Sequence, residues 1–185
     1  MEQPTHAAKT HRIEVEDQLV EATTALFDAY GISLYRLGPD EATRLQGGSM
    51  VTSTVGFAGD NLRGALVIST SLDFVRRLQT QLGSEESSIE AASDTMGEFS
   101  NMLLGRLKYS LLLRGVTIFL ATPTTALGEH ITFPPLTGCP SEWLHFDGEM
   151  GVFNARLDAS FSPEFDFATA SMRDLPVGAG DMMMF

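Results

Sequence analysis

Residues 94–105 read DTMGEFSNMLLG, and three polar side chains stand out in an otherwise apolar run. Asp94, Glu98 and Asn101 are spaced four and then three residues apart. On a helix turning roughly 100° per residue, with Asp94 at zero, Glu98 lies near about +40° and Asn101 near about −20°. Two carboxylates and a carboxamide on one stripe are the groups needed to grip a cationic partner and to position a water, since an amide both donates and accepts. Gly105 follows on the same stripe, near about +20°. A glycine inside a helix costs about 1 kcal/mol against alanine. On a wet face it lets a partner's backbone or a phosphoryl group come close, and Gly97, just off the stripe, is placed to serve the same purpose. Lys108, near about −40°, can hold an acidic partner or stand as a solvated charge. An amphipathic helix ordinarily carries acids and amides on its wet side, so geometry alone leaves open both a solvated face and a working site.

Other chemistry finds little support. Ser100 adjoins Asn101, but no histidine stands where it could activate a serine nucleophile. Cys139 lies in a Gly-Cys-Pro loop, and His6, His11, His130 and His145 are scattered without zinc-site spacing. His145, beside Trp143, reads as a packing residue. Neither a Gly-rich phosphate loop nor a GxSxG elbow is present.

The stripe needs a rigid helix beneath it. Met96, Phe99, Leu103 and Leu107 cluster about 180° away and form the face to be buried. Ser87 and Glu90 have the spacing of a capping box, and Arg114-Gly115 stops the helix. Upstream, residues 13–30 carry Val15, Leu19, Ala22 and Leu26 at helical spacing, ended by Gly31. Residues 50–57 and 63–69 read as a hairpin about Gly59-Asp60-Asn61, followed by a short helix over 72–82 capped by Ser71. Residues 116–123, VTIFLATP, read as a strand closed by Pro123. A short ITF segment, the breaker cluster PPLTGCP and a second hairpin over 143–147 and 151–161 complete the pattern. The layout is α+β, two long helices packed on an antiparallel sheet, with a hint of two pseudo-symmetric halves.

The 185 residues carry 43% apolar side chains, enough for one core, and a formal charge of −12. Such an acidic surface disfavours nucleic acid and anionic membranes. There is no membrane-length apolar run and no apolar stretch in the first dozen residues that would mark a signal peptide. A lone cysteine fits a reducing cytoplasm. The expected organisation is a flexible tail over 1–12, one domain over 13–161 and a poorly ordered tail over 162–185, ending in MMMF, which could dock on an apolar groove or remain loose.

At the stripe the sequence resembles the CheC/CheX/FliY family of chemotaxis phosphatases, nearest the single-site CheX type. The family's signature is an acidic or Ser residue, three residues, Glu, two residues, Asn, and a Pro some two dozen residues on; here Asp94, Glu98, Asn101 and Pro123 stand in that pattern, the Pro about one residue early. The resemblance covers roughly residues 13–161, with the motif on the second long helix ahead of the strand ending at Pro123. It implies a two-component signalling hydrolase that removes the aspartyl phosphate of a CheY-like receiver domain. Asn101 would orient the attacking water, Glu98 would grip the receiver's lysine, and Asp94 would have an ordering role at most. It implies no cofactor of the protein's own, Mg²⁺ coming with the receiver, and pairing as a homodimer through the sheets. The alternative is a non-catalytic module that binds the receiver or sits in a flagellar switch. On the first helix Asp17, Glu21 and Thr24 repeat the spacing with Thr in place of the amide. One working site is therefore expected, the other set being decayed or coincidental.

Overall fold

In the computed structural model, which describes residues 6–38, 48–84, 86, 88–129, 131, 133–136, 141–163, 165 and 167, both long helices form and pack on the same face of a sheet. α1 spans His6–Asp28 and buries Val15, Leu19, Ala22 and Leu26. The short α2, Leu72–Gln81, is capped as expected by Ser71, whose Oγ accepts from Phe74 N at 3.1 Å. α3 spans Ile89–Leu113 and buries Met96, Phe99, Leu103 and Leu107.

The sheet comprises β1 (Leu34–Arg36), β2 (Met50–Ala58), β3 (Leu62–Ser71), β4 (Phe119–Leu120), β5 (Thr124–Gly128), β6 (Leu144–Gly148) and β7 (Phe153–Phe161). All pairings among the described residues are antiparallel, in the order β1-β6-β7-β3-β2, with β4 and β5 following one another along the outer side of β2. The long β3–β7 pair, from Leu62↔Phe161 to Thr70↔Phe153, is the centre. On either side the arrangement repeats. Each half supplies a long helix, an edge strand and a hairpin, and each edge strand pairs with the other half's hairpin, β1 with β6 and β5 with β2. The pseudo-symmetric halves are thus interleaved, and neither can close its sheet alone.

Period-two alternation puts Val51, Val55 and Phe57 of β2, Leu66 and Ile68 of β3, and Ala155 and Leu157 of β7 under the helices. An aromatic cluster ties the layers together: Phe27 of α1 lies 4.8 Å from Phe153, 5.5 Å from Phe99 and 6.0 Å from Phe74, centroid to centroid. Removing such a buried ring typically costs about 3–5 kcal/mol. On the opposite face, the buried Arg156–Asp158 pair (2.9 Å) is covered by Trp143, over the guanidinium at 4.7 Å, and by Leu136 N and Ser141 Oγ, both of which donate to Asp158. His145 Nδ1 packs in a cross-strand bond with Asn154 Oδ1 at 2.7 Å.

Several boundaries depart from the sequence reading. α1 begins at His6, inside the expected tail, because the Ala- and Lys-bearing start suits a helix and His11 meets the rings of Phe161, Phe165 and Phe167 at 5.0–6.4 Å. Those contacts also bring Phe165, buried, and Phe167 out of the expected C-terminal tail onto the domain. The cap of α3 is Ser88, accepting from Ala91 N at 3.1 Å; Ser87 lies outside the described residues. Pro123 does not close the strand. The register moves by one residue between Leu120↔Phe57 and Thr124↔Thr54, so Pro123, lacking an N–H, marks a bulge between β4 and β5. β1, read as connector, is a strand, whereas Ile131 and Phe133 are not. Cys139, His130 and the MMMF end lie outside the described residues. No helix among the described residues is long and apolar enough to cross a membrane.

Candidate functional site

The stripe on α3 faces solvent. Asp94, Glu98 and Asn101 are all exposed, and their side chains make no hydrogen bond or ion pair to any described residue. The Asn101 carboxamide therefore keeps both its donor and its acceptor capacity for a visitor. Gly105 stands on the same face, and a Cβ built on it would meet nothing within 4 Å. Packing supplies no reason for a glycine there, and alanine would be the better helix residue by about 1 kcal/mol. Lys108 is half-buried, with Nζ 5.9 Å from the ring of Phe119.

The back of the same helix turn is fixed to the sheet. Gly97 is buried, and a Cβ there would meet Pro123 Cγ and Thr125 Oγ1, each at 3.7 Å. The expectation that Gly97 offers room to a partner is corrected: it offers room to the protein's own sheet. Thr125 Oγ1 donates to Ser93 O at 3.2 Å. Ser100 is fully buried; its Oγ donates to Gly97 O at 2.8 Å, so the 2.9 Å contact with Ser53 Oγ is one in which Ser53 donates. Ser100 is thus occupied as a structural hydroxyl, in keeping with the lack of support for a serine nucleophile. Ser93, Gly97 and Ser100 form the inner edge of the turns whose outer edge is Asp94, Glu98 and Asn101. Pro123, which sets the bulge, lies against that inner edge. Neither Ser53 nor Thr125 was legible beforehand, because a serine or threonine in an alternating strand carries no sign of which helix it will meet.

The first helix gives a different picture. Placing Asp17 on Asp94 aligns five buried pairs: Val15 with Ala92, Leu19 with Met96, Ala22 with Phe99, Thr23 with Ser100, Leu26 with Leu103. Asp17 and Glu21 are exposed like their counterparts. Thr24, at the place of Asn101, donates its hydroxyl within its own helix, with Val20 O and Glu21 O each at 3.1 Å. Asp28, exposed, occupies the position of Gly105, and Val20 that of Gly97.

An antiparallel sheet of two interleaved halves, two long helices on one face and an exposed Asp-Glu-Asn strip on the second helix define the class. The chain belongs to the CheX family: the profile described as chemotaxis phosphatase CheX matches residues 51–147, from β2 through the α3 strip and Pro123 into β6. Solved structures share the fold. CheX from Desulfovibrio desulfuricans superposes with a TM-score of 0.67 at 23% identity, covering 80% of this chain and 99% of that one. CheX from Vibrio vulnificus gives 0.68 at 20% identity, over 80% and 97%. A chain of the CheX–CheY–BeF3–Mg²⁺ complex from Borrelia burgdorferi gives 0.61 at 15%, over 78% and 97%. No curated protein matches the sequence.

Proposed function

We propose that this protein hydrolyses the aspartyl phosphate of a CheY-like receiver domain. The observation that carries the reading is the free, outward carboxamide of Asn101 on a helix turn pinned from behind. Asn101 accepts from and donates to the attacking water, holding its oxygen in line with the acyl phosphate. Water adds to phosphorus as the bond to the aspartyl oxygen breaks. Inorganic phosphate leaves as H2PO4⁻, carrying both hydrogens of the water, and the receiver's carboxylate is regenerated. Phosphoryl transfer passes through a loose transition state and needs positioning more than covalent help, and fixed geometry alone can contribute several kcal/mol. The Mg²⁺ and its carboxylate ligands belong to the receiver.

Glu98 grips the receiver's active-site lysine. Such an exposed pair is worth about 0–1 kcal/mol until docking removes water, so its role is orientation. Asp94 orders the strip. Gly105 lets the phosphorylated loop approach, and Lys108 faces acidic groups around it. The family resemblance and a solved CheX–CheY complex of the same fold support this reading. Pairing of two copies would use a sheet border, β1 or β4–β5, and is read by sedimentation.

The test is phosphate release from a phosphorylated receiver with wild type, Asn101→Ala and Glu98→Ala. Rapid release by wild type and near-background release by Asn101→Ala supports catalysis. Equal rates in all three would falsify the site. Tight binding without release would establish a receiver-binding scaffold instead.

A further inference from the structure

The polar strip occupies only the first two-thirds of the exposed face of α3. Leu112 lies five whole turns from Asp94, at about 0° on the same wheel. It is 45% exposed; Tyr109, its neighbour three residues back, is 42% exposed, and Leu113, which neighbours Tyr109, is 44% exposed. Phe119, at the sheet border on the Lys108 side, is 70% exposed and is the largest exposed aromatic surface among the described residues. Three large apolar groups exposed along one end of a helix, with a fourth across Lys108 on the sheet border, are the kind of surface that marks contact sites. By contrast, the wet face of α1 beyond Glu21 carries Asp28.

We propose that Tyr109, Leu112, Leu113 and Phe119, with Lys108 between them, form a docking platform for an apolar surface beside the phosphorylation site of the same receiver domain. The inference rests on the phosphatase reading and adds where the affinity comes from. Geometry chooses the occupant. Eleven residues of helix separate Asn101 from Leu112, about 16 Å. A standard interface buries about 800 Å² per partner, a disc of about 16 Å radius. Leu112 therefore lies at the border of such a disc centred on Asn101, within reach of a globular domain whose contact extends toward the C-terminal end of α3. Charge agrees: in a chain of net charge −12, Lys108 lies near about −40° on this wheel, beside the strip that would meet an acidic phosphate pocket. Polar contacts at Glu98 and Asn101 supply orientation and chemistry, and desolvated aromatic and aliphatic groups supply the binding energy, the usual division in an interface.

The experiment measures kcat and KM for receiver domains of the same organism, phosphorylated with acetyl phosphate, and Kd for the same receivers held active with beryllofluoride. Leu112→Ser/Phe119→Ser should raise KM and Kd about tenfold or more with kcat preserved at saturation, and the conservative Leu112→Met alone should leave both close to wild type. The melting temperature should hold, since the side chains are exposed. Asn101→Ala should show the converse, kcat lost and Kd kept. Unchanged KM and Kd in the serine variant, with Asn101→Ala inactive, would overturn the platform and leave the phosphatase reading standing. If the serine variant instead converts a dimer to a monomer with Kd unchanged, the patch belongs to a second copy and the proposal is wrong. Absence of release from every receiver by wild type would remove both.

Discussion

α1 and α3 both expose the two carboxylates of the spacing and share five buried positions on the inner side, yet they differ at the third polar position and at both glycines. Asn101 has a free amide, whereas Thr24 has its hydroxyl bonded within the helix. Gly105 leaves an open approach, whereas Asp28 adds bulk and a negative charge at the matching place. A Cβ at Gly97 would already touch Pro123 and Thr125 of the sheet, whereas Val20 carries a full, partly buried side chain at the matching place. The shared inner register is what duplication followed by drift would leave. The lesson is that one spacing can stand over similar buried positions and still offer a visitor different groups, an unoccupied carboxamide at Asn101 and an occupied hydroxyl at Thr24.

The comparison can be broken at its strongest point first. Asn101→Ala should lower kcat by roughly a hundredfold or more, because a misplaced water forfeits the in-line geometry, while Thr24→Ala leaves turnover unchanged; steady-state phosphate release reads both. Next, Gly105→Asp, which imports the α1 residue into α3, should cut kcat/KM at least about tenfold by repelling the phosphate. Gly105→Ala sharpens the same point: it should raise stability by about 1 kcal/mol in urea unfolding and still slow turnover. Ser53→Ala removes the outer member of the buried hydroxyl pair and should cost about 1 kcal/mol of stability with a severalfold fall in kcat. Conversion of α1 by Thr24→Asn with Asp28→Gly, in the Asn101→Ala background, should not recover release, since Val20 still stands in the place of Gly97.

The smallest effect belongs to α1 alone. Glu16 is partly buried, and desolvation is the main cause raising its carboxyl above the ordinary range, with Arg12 opposing and Glu142 adding to the rise. The folded state then binds a proton more readily than the unfolded chain, so stability falls as pH rises through the carboxylate range. Glu16→Gln should raise the melting temperature at neutral pH, with the gain vanishing in acid; a gain that grows in acid would contradict the burial argument.

Much of this was legible in the residues. The burial of Met96, Phe99, Leu103 and Leu107 opposite Asp94, Glu98 and Asn101 follows from the helical period, and the β2–β3 and β6–β7 hairpins follow from alternation about turns. The misses share a cause. β1 is only three residues long and pairs with β6 more than a hundred residues away, so nothing local announces it. Pro123 read as a terminator because a ring without an N–H breaks a ladder, yet a bulge accommodates it and β5 resumes. The start of α1 was missed because its holding contacts, Phe161, Phe165 and Phe167, lie at the other end of the chain.

The sequence by itself determined which side chains share a helix face and that one face is wet and the other dry, because periodicity is a local property of a chain with fixed turns. Only the tertiary structure decided that Gly97 serves the sheet while Gly105 serves solvent, that Ser53 meets Ser100, and that Tyr109, Leu112 and Leu113 at the end of α3 are exposed. Those facts depend on which distant strand is brought beneath the helix, and such pairings are fixed by the packing of the whole core.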